Sequence, residues 1–197
     1  MPSAPTVLHT ARLRLVAPDE AQTAAVADFY TRNQAHFAPW DPPLPAGHDT
    51  PEGVRRRLSE SRLAFEGGLA WRWWLVPASE PAGPQARVIG SVHLSGVVRQ
   101  AWQNCTLGYA IDAAWQGQGL MSEALEAVMA TAFSPAINLH RVQAAVRPDN
   151  QRSLAVMRRG PWREEGLARD YLYIDGAWRD HLIFTRTNPD FVPPAHW

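Results

Sequence analysis

The stretch from Leu107 to Ala124, LGYAIDAAWQGQGLMSEA, decides the fold prediction. Its first part has the composition of a β-strand, and a short loop with Gly117 and Gly119 then opens directly into an amphipathic helix. Glycine has no Cβ, so the loop backbone can approach a ligand closely, and the first helical turn has N–H groups without partners in the helix. The sequence therefore predicts a phosphate or pyrophosphate site here. The alternative is that the two glycines only make a tight turn.

The residues on either side predict one mixed α/β domain over residues 1–197. The predicted strands are residues 11–17, 71–77, 87–95, 105–111, 141–146, 163–174 and 177–187. The predicted helices are residues 19–34, with Pro18 in the first turn, residues 51–66, a segment after Trp115, and residues 150–159. Residues 36–51 contain five prolines and predict an irregular loop, and Asp175-Gly176 predicts a hairpin turn.

Composition excludes several classes of protein. The 197 residues are 46% hydrophobic, and 19 acidic side chains balance 19 basic ones, all of them arginine. A neutral chain lacks the large positive field of most duplex-binding proteins, so we expect no direct sequence-specific binding of nucleic acid. No apolar run predicts a membrane span, and the sequence shows no secretory signal. With Cys105 as its single cysteine, the protein is expected in the reducing cytoplasm, and its cysteine and histidines lack the spacing of a metal site.

Two familiar phosphate-binding loops do not fit the glycine-rich stretch. A P-loop needs a lysine, and this chain has none. The segment Gly117–Ser122, GQGLMS, nearly matches the dinucleotide-binding fingerprint, but it lacks the third glycine. An acidic residue for a ribose hydroxyl is also missing around Ile137–His140. A Walker-type NTPase is therefore excluded, and a Rossmann oxidoreductase is disfavoured.

The residues around Gln116–Met121, followed by a strand and Asn150–Ser153, resemble the acyl-CoA binding core of the GNAT acetyltransferases. The usual pattern is Gln or Arg, two residues, Gly, one residue, then Gly or Ala; Gln116 and Gly119 match it, and Met121 does not. Other segments are similar to the ribosomal-protein-alanine N-acetyltransferases of the RimJ type. They are RLRL at 12–15, FAPWDP at 37–42, LGYAI at 107–111, WQGQGLM at 115–121 and EGLARDYLYIDGAWRDH at 165–181. GPW at 160–162 departs from the usual apolar residue, Gly and Phe, and leaves the packing there open.

The resemblance implies a mixed, mostly antiparallel sheet flanked by about four helices, with acyl-CoA bound at a splay between two central parallel strands. It implies acetyl-CoA as the donor and the N-terminal α-amine of a protein as the acceptor, typically the N-terminal alanine of a small-subunit ribosomal protein. The implied donor-binding residues are Leu107, Gly108, Tyr109, Ala110, Ile111, Gln116, Gly117, Gln118, Gly119, Leu120, Met121, Asn150 and Ser153. The acceptor-binding candidates are Trp40, Tyr109 and Tyr171. Trp40 could instead be a lid packed on the core, and Asn150 could also cap a helix.

The chemistry of acetyl transfer assigns two further roles. A neutral amine attacks a thioester, so the site must accept a proton, hold an oxyanion and protonate the departing thiolate, without needing a metal. Many GNAT enzymes carry a tyrosine seven residues after the asparagine, but here that residue is Met157, which cannot donate a proton. Ser153, one helical turn after Asn150, is the candidate proton donor. Asp170 is the candidate for binding or deprotonating the α-amine, directly or through water. Purely structural roles remain the alternative for both.

Two other functions remain open at this stage. The same chemistry could act on a small amine, such as an antibiotic or an amino-acid conjugate, under an aromatic lid formed by Trp40. The chain could also be a non-catalytic CoA-binding or ribosome-assembly factor, in which Ser153 and the carboxylates near the C-terminal hairpin would be dispensable. Both a monomer and a homodimer are compatible with the sequence.

Overall fold

The computed structural model describes residues 4–43 and 45–193, and these form one eight-stranded sheet with helices on both faces. The strands are β1 (Val7–His9), β2 (Leu13–Val16), β3 (Trp71–Pro77), β4 (Gly90–Val98), β5 (Asn104–Ile111), β6 (Arg141–Val146), β7 (Arg163–Ile174) and β8 (Ala177–Thr187). The helices are α1 (Thr23–Phe37), α2 (Pro51–Glu66), α3 (Leu120–Phe133) and α4 (Gln151–Arg159). Of the helices in these ranges, none is both long enough and apolar enough to cross a membrane.

The strand order is β1-β2-β3-β4-β5-β6-β8-β7, and every neighbouring pair is antiparallel except the central pair β5 and β6. This confirms the predicted mixed, mostly antiparallel sheet. The parallel register runs from Asn104 opposite Arg141 to Leu107 opposite Ala144. Beyond Leu107, β5 continues to Ile111 while it remains paired with β4 on its other side. The two central strands therefore separate in the middle of the sheet, as the family resemblance implied.

Alternation along the strands divides the core into two layers. On β3, Trp73 belongs to the larger core, which includes the apolar face of α3, whereas Trp74 packs with Phe29 of α1 and Leu58 of α2. Because successive residues of a strand point to opposite faces, α3 covers one face of the sheet and α1 with α2 covers the other. The GPW segment at 160–162 belongs to the layer of the larger core, since Trp162 packs against that core and lies over Gly160.

The predicted boundaries agree best in the middle and at the end of the chain. The structure has the predicted bounds for the strands at 71–77, 141–146, 163–174 and 177–187 and for the helix at 51–66. The strand predicted at 87–95 was placed too early and instead runs from Gly90 to Val98. Pro18 also lies outside the first helix, because the Asp19 side chain caps a single 3-10 turn, Glu20–Gln22, that precedes α1.

A buried carboxylate fixes the end of β5 against α1. Asp112 is 3% exposed and accepts hydrogen bonds from Arg32 Nε at 2.7 Å and from the Ala114 N–H at 3.0 Å. Burial acts to raise the pKa of Asp112, but these hydrogen bonds outweigh it, and the pKa lies below its ordinary value. Beside this pair, Asn33 accepts a hydrogen bond from the Ala113 N–H at 3.0 Å. The loop that follows β5 therefore has a fixed position relative to α1.

Replacing Asp112 with alanine should lower the free energy of unfolding by about 2–3 kcal/mol, because it leaves the Arg32 guanidinium without its buried partner. Asp28→Ala removes a 67% exposed partner of the same arginine and should cost under about 1 kcal/mol. Urea unfolding measures both losses. Since the folded pKa of Asp112 is lowered, its contribution is present above the unfolded value near 3.8 and is lost as the pH falls through the folded pKa. Equal losses in the two variants would contradict this account.

Candidate active site

A cavity of about 710 Å³ opens where β5 and β6 separate. We call it the central cavity. Its walls come from the end of β5, the glycine-rich loop, the first turn of α3, one face of α4 along its whole length, and the end of α1 with the segment that follows it. These are the elements that carry most of the residues predicted from the sequence.

The glycine-rich loop forms an open cradle at the start of α3. Gly117 and Gly119 have φ angles of +74° and +76°, a left-handed conformation in which other residues are strained. A Cβ built on Gly117 would meet no atom of the described residues within 4 Å, so the space beside it is free. Gly119 is the N-cap of α3 and has no side chain to cap the helix, and Leu120 and Met121 of the first turn line the cavity. A phosphate fits such a helix N-terminus.

Arg12, the residue before β2, holds the glycine-rich loop in place. Its Nη1 donates a hydrogen bond to the Gln118 carbonyl at 2.8 Å, and its Nε bonds to Glu123 of α3 at 2.7 Å. The backbone N–H of Arg12 donates to the same Glu123 carboxylate at 2.8 Å. These contacts support the conformation of the glycine-rich loop from outside the central cavity.

Two hydroxyl groups meet on the α3 side of the sheet. Tyr109 Oη lies 2.6 Å from Ser153 Oγ, and the Ser153 N–H donates to Asn150 Oδ1 at 3.1 Å, so Asn150 caps α4. Burial raises the pKa of Tyr109 to about 12, although the hydrogen bond with Ser153 acts against this, and the phenol is therefore protonated at neutral pH. The sequence did not predict this pairing. Alternation gives the face on which Tyr109 lies, but the approach of α4 to that face is a tertiary contact.

Residues 37–41, which we call the aromatic segment, begin at the last residue of α1 and close one side of the central cavity. The Trp40 ring lines the cavity, and the Arg147 guanidinium lies 5.0 Å from the centre of this ring. Arg147 also donates to the Pro39 carbonyl at 2.7 Å and forms an ion pair with Asp149 at 2.5 Å. These contacts hold Trp40 in the wall of the central cavity. Its contact with an acceptor stays a prediction. Leu44 of the same loop lies outside the described residues.

All the site residues predicted from the sequence divide into two groups. Those in the wall of the central cavity are Trp40, Tyr109, Ala110, Ile111, Gln116, Gly117, Gly119, Leu120, Met121, Asn150 and Ser153. Those outside the wall are Leu107, Gly108, Gln118, Asp170 and Tyr171. Their roles in binding or catalysis stay predictions.

Asp170 and Tyr171 lie on the C-terminal hairpin. Asp170 is exposed and has a φ of +47° within an irregularity of β7, and its N–H donates to Asp180 at 2.9 Å. The Tyr171 ring lies 5.5 Å from the His181 ring. The register of β7 on β8 shifts between Ala168 and Leu172, so the regular alternation of faces along β7 is interrupted at these two residues.

Three titratable side chains in the central cavity were not among the predicted site residues. His36 lies 2.8 Å from the Gln116 side-chain amide, and burial lowers its pKa. Asp149 is paired with Arg147. Asp41 has its pKa raised by burial, against the opposing effect of Arg72 and His48. Asp41 belongs to the FAPWDP segment that carried part of the family resemblance, and this segment was the available signal.

Cys105 lies apart from this chemistry. It is buried in β5, and burial raises the pKa of its thiol to about 12. Within residues 4–43 and 45–193, no group of three or more His, Cys, Asp and Glu side chains is placed to hold a metal ion.

Comparison with known proteins places this geometry in context. Residues 12–160 match the acetyltransferase (GNAT) domain family. The chain is 36% identical over 186 residues to the ribosomal protein uS5-alanine N-acetyltransferase of Escherichia coli K12, covering 94% of this chain and 93% of the relative. The ribosomal-protein-S5-alanine acetyltransferase of Vibrio fischeri superposes with a TM-score of 0.88 at 30% identity, covering 96% and 100% of the two chains. Mycobacterium smegmatis RimJ, solved with a CoA-disulfide, gives 0.81 at 28% identity, covering 92% and 84%.

Proposed function

The chain belongs to the GNAT acetyltransferase family, and we propose that it transfers the acetyl group of acetyl-CoA to the N-terminal α-amine of a protein, with the N-terminal alanine of a small-subunit ribosomal protein as the acceptor. The observation that carries the proposal is the joining of a phosphate cradle and a hydroxyl pair in one cavity at the splay of β5 and β6. The similarity to uS5-alanine N-acetyltransferases over most of the chain supports this choice of acceptor.

The central cavity has the features needed for an acyl-CoA. The pyrophosphate would bind at Gly117 and Gly119, where the free space and the helix N-terminus suit an anion. The pantetheine arm carries amides, which would pair with the backbone of β5 beyond Leu107, where β6 no longer does so. Asn150 uses its carbonyl oxygen to cap α4, which leaves its amide nitrogen to donate to pantetheine.

The hydroxyl pair can complete the acetyl transfer. The acceptor amine, once neutral, forms the new C–N bond at the thioester carbon while the C–S bond breaks, and the thiolate then needs a proton. The protonated Tyr109 phenol and the Ser153 hydroxyl share a hydrogen bond, so a proton given up by one can be replaced from the other. Solvent then restores the pair, and the proton lost by the nitrogen balances the one taken by sulfur.

Acetyl-CoA should raise the melting temperature, by an amount that corresponds to roughly 2.7 kcal/mol at a hundredfold excess over Kd. Gly117→Ala should reduce this shift strongly, because its Cβ enters the space of the pyrophosphate. Gly68→Ala is the matched control: Gly68 has a φ of +66° and lies outside the central cavity, so it should lower the stability of the free protein by a similar amount of about 1 kcal/mol. The control should keep the ligand-induced shift. A shift retained in both variants would reject the cradle.

Ser153→Ala should lower kcat by about 100-fold and change KM for acetyl-CoA little, because a proton donor acts mainly in the transition state. Tyr109→Phe should lower kcat by a similar factor. The kcat of the double variant should be little lower than that of the more impaired single variant, because the two hydroxyls act together. Steady-state kinetics test all three variants. A kcat for Ser153→Ala within about twofold of the unmodified protein would assign the serine a structural role.

Intact-mass analysis tests the acceptor. A peptide that begins with alanine and contains an internal lysine should gain one acetyl group at its α-amine, because the lysine amine has a pKa near 10.4 against about 7.7–8.0 and is less often neutral. The same peptide with a blocked N-terminus is the control and should remain unmodified. Equal labelling of both amines, or labelling of small amines alone, would reject the N-terminal acceptor.

A further inference from the structure

A second cavity, of about 440 Å³, adjoins the central one. We call it the outer cavity. It shares two wall residues, Phe37 and Asp41, with the central cavity. Its remaining walls include Gln34 on α1, Pro42 after the aromatic segment, and Gly176 at the tip of the β7–β8 hairpin. Asp41 therefore lies where the two spaces meet.

The Asp41 carboxyl is poorly compensated for its position. It is half-buried, and Arg72 and His48 are the basic side chains whose electrostatic influence reaches it. In the described part of the chain, no basic nitrogen lies within 4 Å of its oxygens. A half-buried carboxylate without an ion-pair partner loses hydration and gains little in return, and a cationic ligand would supply the missing partner.

Asp149 and His36, which also line the central cavity, already have partners. Asp149 receives two hydrogen bonds from Arg147, at 3.0 and 2.5 Å. His36 is bonded to Gln116, and an imidazole carries no negative charge to balance an ammonium group. Of the acidic side chains described in this wall, Asp41 is the one that can bind an incoming ammonium group without giving up an arginine.

We propose that Asp41 binds the α-ammonium group of the acceptor, and that the acceptor chain leaves the central cavity through the outer cavity after its first residue. This inference rests on the proposed function, because it requires an acceptor that is a polypeptide. An N-terminal residue that enters the central cavity has a chain attached to it, which needs a continuous exit, and the outer cavity adjoins at the point where the ammonium would be held. A small amine would need the carboxylate but not this exit.

Binding measurements isolate the ammonium contact from catalysis. Calorimetry on the CoA-loaded protein compares a hexapeptide that begins with alanine and the same peptide with a propionyl group in place of alanine, which removes only the amine. The unmodified protein should bind the amine peptide at least tenfold more tightly, about 1.4 kcal/mol. Asp41→Asn should abolish this preference, and Asp41→Glu should retain part of it. Asp28→Asn, an exposed carboxylate on α1 outside both cavities, should leave it unchanged.

The outcomes separate the two proposals. A tenfold preference that survives in Asp41→Asn overturns the role of Asp41 while the N-terminal acceptor stands. Equal binding of both peptides to the unmodified protein has the same meaning. If the protein neither binds nor acetylates a peptide that begins with alanine, the proposed function and the inference are both overturned.

A second variant tests the exit path. Gln34 is an exposed residue of α1 in the wall of the outer cavity, so Gln34→Trp should narrow that cavity without disturbing the core. The variant should lower kcat/KM for the hexapeptide about tenfold more than for alaninamide, which has no chain to accommodate. An equal effect on the two acceptors would show that the chain leaves by another route.

Discussion

The parallel pairing of β5 with β6 stops after Leu107, and the site depends on this interruption. On its other side, β5 remains paired with β4 as far as Ile111, which lies opposite Gly90. The strand is therefore held rigidly along one edge and open along the other. Backbone N–H and C=O groups without a ladder partner are costly unless water or a ligand satisfies them, so a rigid open edge suits an extended ligand that carries amides.

The end of β5 contributes side chains to both faces of the sheet because they alternate. Tyr109 packs on the α3 side, where the glycine cradle and α4 lie, and Ala110 packs on the side of α1 and α2, where the segment with Trp40 begins. Two contacts join these halves across the sheet: the Arg32 ion pair with Asp112, and the hydrogen bond between His36 and Gln116. A donor on one side and an acceptor on the other can then meet at a fixed distance without a moving domain.

The sequence predicted the secondary-structure elements better than the tertiary contacts between them. Local patterns were sufficient for β6, the C-terminal hairpin and α2, because periodicity, glycine and proline act over a few residues. The short edge strand β1 was missed, since three residues are too few to show alternation. The cradle was predicted because it lies within one continuous segment. The pairing of Tyr109 with Ser153 joins positions 44 residues apart, and the approach of Asp41 to the central cavity depends on how α1 packs, so neither follows from spacing alone.

Met157 lies at the position where the family resemblance implies a tyrosine. In many GNAT enzymes a tyrosine at this position supplies the proton for the thiolate, but here the side chain is a methionine with 0% exposure, packed in the larger core. The first turn of α4 instead presents Ser153 to the cavity, and Tyr109 reaches it from β5. The contact between Tyr109 and Ser153 thus joins α4 to the sheet in the wall of the central cavity, where the proposed proton transfer would take place.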